Sequence, residues 1–527
     1  MCAHNRDVLA WPREPPFIAF LLGALPALVG CAVGPTFAPP ETPVAERWRA
    51  GGDARLTTQA AADSLWWKAF NDPVLDGLIE LAYRQNLPLQ IAGLRIVEAR
   101  AQFAVATGRQ FPQTQALFGS AEAIGLTEQV SRYTGLPRNL IGYQVGFDAA
   151  WELDFWGKYR RGVEAEAAGL LASVADYDAS LVSLAAEVAR TYVAIRTSEV
   201  LIKLAEDNAR IQEDALGIAR SRFQAGATSE LDPTQATTLL ESTRASIPRL
   251  RIGLQQGRNA LSTLLGQPAG SFDAMLAGSP QIPAPPEKVA IGVPAEMLRR
   301  RADIRSAELF AAAQCARIGV AKSELYPSFT LLGTIGLRTF NKGASSHNLF
   351  ASSSVFYSVG PNINFPFFNY GRLTNSVRVE DARFQQALVS YRDTVLRAAQ
   401  EVEDALAGFV SSQEATVFQR NAVTAARRSV ELALVQYREG AADYQRVLDA
   451  ERSLLQEQNR LAETTSAVST NAIALYKALG GGWELRRGQP IVPEQTQREM
   501  KQRTRWGDML SEPRTPETTN SPPAGKQ

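Results

Sequence analysis

The feature that most constrains this chain is an internal duplication held at one offset. Tyr143-Gln144-Val145-Gly146 is similar to Tyr357-Ser358-Val359-Gly360, 214 positions later. The same offset pairs Trp151 with Phe365, Gly157 with Gly371, Lys158 with Arg372, Val163 with Val377, Glu166 with Glu380 and Tyr177 with Tyr391. It continues through Glu187-Val188/Glu401-Val402, Gly226-Ala227/Gly440-Ala441, Ala236/Ala450 and Leu240/Leu454 to Leu265-Gly266/Leu479-Gly480. Upstream, Phe111-Pro112 matches Tyr326-Pro327 at an offset of 215, so one position was lost in the intervening loop. A fold built on this chain must therefore use one unit twice.

Each unit has the same order: a helix (about 72–109 and 294–324) stopped by Pro112 or Pro327, two strands, a very long helix, a tip, and a second long helix. The strands are expected at about 113–125 and 142–153 in the first repeat (31–266), and at about 328–340 and 355–366 in the second (294–483). A Pro- and Gly-rich linker, 267–293, joins the repeats. Residues 484–527 are polar and rich in Pro, Thr and Glu, and are expected to be disordered.

From Tyr143 to Leu153 the residues alternate. Tyr143, Val145, Phe147, Ala149, Trp151 and Leu153 form one face, and Gln144, Asp148 and Glu152 the other. In the copy, Tyr357, Val359, Ile363 and Phe365 oppose Ser358, Asn362 and Asn364. Period-two patterning over about ten residues fits a half-buried strand of a soluble sandwich or a tilted transmembrane strand. The flanks favour the membrane. Trp151, Phe155 and Trp156 close one strand, and Phe365, Phe367, Phe368 and Tyr370 close its copy, as an interfacial aromatic girdle would. Four strands cannot close a barrel, for which roughly eight are needed. Unpaired edges in lipid cost several kcal/mol per group. Transmembrane strands would thus have to be shared between chains.

The stretch from Gly157 to Gly226, and its copy from Gly371 to Gly440, contain no Pro. At about 1.5 Å per residue each reaches about 100 Å if unbroken. Apolar residues recur at 3,4 spacing (Val174, Tyr177, Leu181, Leu184, Val188; Leu388, Tyr391, Val395, Ala398, Val402, Ala405, Phe409), a coiled-coil-like seam.

The N-terminus carries an apolar run, Phe17 to Val29, too short to span a bilayer but suited to a signal peptide, 1–30. It ends in Leu28-Val29-Gly30-Cys31, which is similar to a bacterial lipobox and makes Cys31 the expected lipidation site. Ala32 after it implies outer-membrane sorting. One acyl chain anchors only marginally, so further membrane contact is expected. Cys315 would then lack a disulfide partner.

Chemistry is sparsely provided. Two histidines, three cysteines and no Cys-x-x-Cys spacing argue against zinc sites and histidine acid–base catalysis. No phosphate-binding glycine motif is present. A net charge of +1 gives no reason to expect a nucleic-acid partner. The basic run Arg299-Arg300-Arg301 reads as a solvated helix face. No cofactor, metal or catalytic site is expected.

These features together resemble the TolC family of outer-membrane factors, in its OprM-type (NodT-type) lipoprotein branch. Further stretches carry the resemblance: Cys31-Ala32-Val33-Gly34-Pro35, Trp66-Trp67…Phe70…Asp72-Pro73…Leu75, Leu298-Arg299-Arg300-Arg301-Ala302-Asp303-Ile304, and Tyr437…Gly440…Leu448-Asp449-Ala450-Glu451-Arg452. The resemblance implies a mixed α+β membrane protein. As a homotrimer it would share a 12-stranded β-barrel and a periplasmic α-helical tunnel, docked on a periplasmic membrane-fusion adaptor and an inner-membrane RND-type pump. It implies adaptor contact at the tips Gly226 and Gly440, which also read as plain helix terminators. It implies a gate formed by Asp449, repeated around the threefold axis, with Tyr437 and Arg452 holding the closed tip. Arg446, where some members have a second Asp, is expected to neutralise Asp449 in part. Gln144, Asp148, Glu152, Ser358, Asn362 and Asn364 are expected to wet the barrel lumen without forming a specific site. A type I protein-secretion duct and a lipid-anchored coiled-coil scaffold without a pore remain as alternatives.

Overall fold

The computed structural model describes residues 32–41, 44–57, 65–278, 280–341, 348–486 and 489–510. The signal segment and Cys31 lie outside these residues. The chain forms two compact units, one from Met1–Ala38, Gln102–Ala168 and Ala311–Gln386, the other from Pro39–Ala101, Gly169–Phe310 and Ala387–Gln527.

The first unit is built on four antiparallel strands: β2 (Thr114–Gly125), β3 (Asn139–Leu153), β5 (Ser328–Asn341) and β6 (Val355–Asn364), in that spatial order. The short β1 (Leu56–Thr57) and β4 (Val289–Ala290) pair in parallel in the second unit, so the inter-repeat linker is stitched to the N-terminal segment. The loop between β2 and β3 holds a helix, α3 (Glu128–Thr134), which the polar sequence does not announce. It is capped by the Thr127 hydroxyl and ended by Gly135 in the left-handed region. Its counterpart loop, after β5, lies partly outside the described residues.

The first helix of each repeat, expected as one piece, is two. Helix α1 (Pro73–Gln85) is followed by α2 (Leu87–Gly108), and α6 (Pro294–Arg300) by α7 (Ala302–Ser323). At the first break Asn86 is extended, and its Oδ1 accepts from the Leu89 N–H at 2.8 Å, so the residue that ends one helix caps the next. At the second break the expected solvated Arg301 is buried. Its guanidinium donates to Asp303, to Glu401 and to the Ala478 carbonyl, at 2.7, 2.8 and 2.9 Å. Only Arg299 and Arg300 are exposed, because the extended backbone at Arg301 turns that one side chain inward.

The long helices are unbroken. Helix α4 (Lys158–Gln224) and α8 (Arg372–Arg438) have 67 residues each, and their ends differ by 214 positions. They return as α5 (Leu231–Leu264) and α9 (Tyr444–Ala478). The expected seam residues Tyr177, Leu181, Leu184 and Val188 of α4, and Val395, Ala398, Val402, Ala405 and Phe409 of α8, are buried in one core of the second unit, where the Trp66 ring stacks on Tyr476 at 5.4 Å. Gly408, the one glycine inside α8, sits where a Cβ would fall 2.9 Å from Asn471 Oδ1.

Residues 489–510 are not the disordered tail their polarity suggests. They carry helix α10 (Glu494–Arg503), and Val492 and Leu510 are buried against Val97, with Met500 and Trp506 packed beside them. A few apolar anchors are enough to dock a polar segment. Residues 511–527 lie outside the described residues.

Candidate functional site

Two regions hold the residues singled out by the sequence: the sheet and the helix tips.

Strand register sorts the sheet's two faces. Gln144 pairs with Ser120 and Arg338, and Asp148 with Ala116 and Thr334. Ser358 pairs with Thr334, Asn362 with Thr330, and Asn364 with Ser328. Glu152 pairs with Thr330. Because opposed residues share a face, all six expected lumen residues lie on one side. Hydrogen bonds cross it: the Thr334 hydroxyl donates to Asp148 Oδ1 at 2.7 Å, and Arg338 Nε donates to Gln144 Oε1 at 3.2 Å. The face is less uniformly polar than expected, since Phe118 and Phe356 also belong to it. On the other face the large apolar side chains are open. Leu117, Ile335, Tyr357, Val359 and Ile363 are each more than half exposed, with nothing among the described residues to cover them. The outer edges of β2 and β6 are also unpaired in the sheet.

The girdle residues gather at the strand ends nearest the helices. Phe155 packs edge-on against Trp156 and tilted against Phe329, and Trp156 stacks on Tyr326 at 4.6 Å. The Trp156 indole donates to the Pro327 carbonyl at 2.7 Å, and that of Trp151 to Gln110 at 3.2 Å. Phe367 lies between Phe365 and Phe368, and Tyr370 is almost fully exposed. The Val33 N–H donates to the Trp156 carbonyl at 3.0 Å. The residues just after Cys31 are thereby fixed beside the girdle. Cys315 is buried, and burial pushes its thiol up.

At the tips, Gly226 and Gly440 both adopt left-handed backbone, φ +72° and +77°. In each, the following alanine N–H bonds back to the carbonyl five residues earlier (Ala227 to Arg222, Ala441 to Gln436), which closes a Schellman cap. No atom lies within 4 Å of a Cβ placed on Gly226, so backbone geometry alone fixes glycine there.

Tyr437 is buried beneath this turn. Its hydroxyl donates to Asp232, its ring meets Tyr444 edge-on at 5.2 Å, and the Arg222 guanidinium lies 4.7 Å above it. Arg222 also donates to the carbonyls of Tyr437 and Arg438, the open end of α8. Arg222 and Asp232 were not singled out from the sequence. Their counterparts at the duplication offset are Gln436 and Arg446, so no repeated pattern marks them.

Asp449 is exposed and accepts from Gln445 at 3.0 Å. Arg446 does not reach it: its nearest acidic partner is Asp443, at 4.0 Å. Helical side chains lean toward the N-terminus, which carries Arg446 back to Asp443 rather than forward to Asp449. Arg452 is exposed and makes no ion pair among the described residues. Between them Glu451 is buried, both carboxyl oxygens lack a hydrogen-bond partner, and burial pushes its carboxyl up to about 8.

Among the described residues no group of His, Cys, Asp and Glu could hold a metal ion, and no helix is long and apolar enough to cross a membrane. The latter says nothing of strands.

The chain matches the profile of the outer membrane efflux protein family over residues 78–267 and 293–481, the two halves of the duplication. It is 31% identical to nodulation protein T of Rhizobium leguminosarum bv. trifolii, over 89% of this chain and 97% of that one. It is 30% identical to the cation efflux system protein CusC of Escherichia coli, over 87% and 97%. The solved structure of the outer-membrane channel OprN superposes with a TM-score of 0.80 at 32% identity, covering 86% of this chain and all of that one.

Proposed function

This chain belongs to the outer membrane efflux protein family, and from that premise we propose that three copies close the four-stranded sheet into a shared 12-stranded barrel. The protein is the outer-membrane channel of an efflux system in a Gram-negative envelope, with its helical part in the periplasm. An inner-membrane pump of the RND type and a periplasmic adaptor deliver small molecules to it, and the pump supplies the energy. Cys31, acylated, anchors each copy beside the Trp156 girdle.

The observation that carries this reading is the register. It leaves one face open and apolar, the other polar, and two strand edges unpaired, a combination that lipid outside, water inside and a neighbouring copy at each edge would satisfy together. The lumen then contains Gln144, Asp148, Glu152, Ser358, Asn362 and Asn364. The tips carry the gate, with Asp449 ringed about the axis and Tyr437 holding its helix to Asp232. Arg452, which makes no ion pair among the described residues, pairs with a neighbouring copy.

The test is conductance of the purified mature protein in a planar bilayer, with oligomer mass measured in the same detergent. A trimer with discrete cation-sensitive steps is expected. A monomer or dimer without conductance would overturn the shared barrel.

A further inference from the structure

One row of the sheet's polar face is aromatic and glycine only. Phe118 on β2 is opposite Gly146 on β3, which is opposite Gly336 on β5, which is opposite Phe356 on β6. No side chain rises from the two middle strands, and the rings of the outer two lean across them. A Cβ on Gly146 would fall 2.7 Å from Phe118 Cζ, and one on Gly336 would fall 2.9 Å from Phe356 Cε1. A ring laid over a neighbouring glycine covers bare strand backbone. Glycine on this face is not covered everywhere: Leu332 stands opposite Gly360, yet nothing lies within 4 Å of a Cβ placed there. Both Phe118 and Phe356 stay partly exposed on that face.

Opposite charges bracket the row. One pair toward the loops stands Arg338, its guanidinium carbon 4.6 Å from the centre of the Phe356 ring. One pair toward the helices stands Asp148, held by Thr334. The two rows are four residues apart, about 13 Å along the strands.

The geometry points to a transit subsite on this face for planar aromatic molecules that carry an anionic and a cationic end. The aromatic body lies along the phenylalanine row, its anionic group faces Arg338, and its cationic group faces Asp148. Among the described groups Arg338 donates only through Nε, to Gln144, which leaves the other guanidinium N–H groups for an anion. Weak, reversible contact of this kind suits a conduit, which has to release what it binds. The subsite rests on the lumen reading proposed above.

The test uses the purified mature protein in detergent and two probes titrated by saturation-transfer NMR. These are para-(aminomethyl)benzoate and its saturated-ring analogue, which carry the same two charges and differ in aromaticity. The aromatic probe is expected to bind about tenfold more tightly, the order expected for ring stacking. The double variant Phe118→Leu/Phe356→Leu should abolish that preference while keeping an apolar side chain opposite each glycine. Arg338→Gln and Asp148→Asn should each weaken both probes severalfold and leave the preference intact. Equal affinities in the wild type, a preference that survives the double variant, or no saturable signal would each overturn the subsite. Mass and conductance on the same preparation report separately on the channel. A conducting trimer that does not distinguish the probes removes the subsite alone; a non-conducting monomer removes the lumen reading, and the subsite with it.

Discussion

The hydroxyl of Tyr437 donates to Asp232 Oδ2 at 2.9 Å, which ties the last turn of α8 to the first turn of α5 and so links the hairpin of one repeat to that of the other. Burial and the Asp232 carboxylate push the Tyr437 phenol up to about 12, so it remains a donor throughout the physiological range. Arg222 completes the link from the opposite side through the end carbonyls of α8.

Tyr437→Phe keeps the ring and removes the bond. A hydrogen bond to a charged acceptor contributes about 1.5–3 kcal/mol. Single-channel recording should therefore show the open fraction rising about tenfold or more, with Asp232→Asn changing it in the same direction. An unchanged open fraction in both variants would show that this link does not latch the tip.

Arg222→Gln should loosen the end of α8, because a cation at a helix C-terminus contributes about 0.3–1 kcal/mol beyond its direct hydrogen bonds. Hydrogen exchange of the amides at 436–441 is expected to quicken about fivefold. Exchange confined to wild-type rates would assign Arg222 no capping role.

Asp449→Ala should raise single-channel conductance or weaken block by divalent cations, since the exposed carboxylate would be repeated around the axis. Arg446→Ala is expected to leave both nearly unchanged, because its partner is Asp443. A strong increase in block on removing Arg446 would restore the charge compensation that the structure does not display.

Glu451 sets a pH dependence of definite sign. Burial raises its carboxyl from 4.5 to about 8. The folded tip therefore holds a proton that the unfolded chain has released, and stability falls as pH rises from about 4.5 to about 8, by about 1.4 kcal/mol per unit from this group. Glu451→Gln should flatten that portion of the curve and leave the protein more stable at pH 8. Parallel denaturation curves for the two proteins across this window would refute an ionisable buried Glu451.

Gly226→Ala places a side chain in left-handed backbone and should cost about 1–2 kcal/mol. Gly226→Asn tolerates that backbone better. If the partner helix of an adaptor packs against the bare turn, both variants lose adaptor binding in a pull-down while only the alanine variant loses stability. Adaptor binding that follows stability alone would leave the glycine a helix terminator and nothing more.

The repeat, the strands, the long helices and the tip glycines are legible in the sequence because each rests on periodicity or on a residue with one conformational use. The strands at 114–125, 328–341 and 355–364 fall within about two residues of the alternation, and β3 begins at Asn139, earlier than its clean alternation suggests. What is not legible depends on single contacts across the chain. Arg301 sits in a basic run and is buried because of Asp303 and Glu401, a hundred positions away in the latter case. The docked segment 489–510 relies on Val492 and Leu510, too few to alter its polar composition. Asp232 and Arg222 meet Tyr437 only when two hairpins pack together. The residues around Asp449 illustrate both cases: their position follows from the helix, but the choice of Asp443 as the partner of Arg446 follows from the direction in which a helical side chain leans.

The equal length of α4 and α8 limits how this gene can change. A residue added inside either helix would turn everything beyond it by about 100°, bring polar residues onto the buried seam, and carry one tip past the other. Compensation would require a second insertion at the matching place in the other repeat, an event that single mutations do not supply. Length variation is left to the loops, and the one slip visible in this chain, from an offset of 215 to one of 214, falls between the strands. Relatives of this protein should therefore differ freely in loop length while keeping the residue count between the paired glycines fixed, or changed equally in both halves.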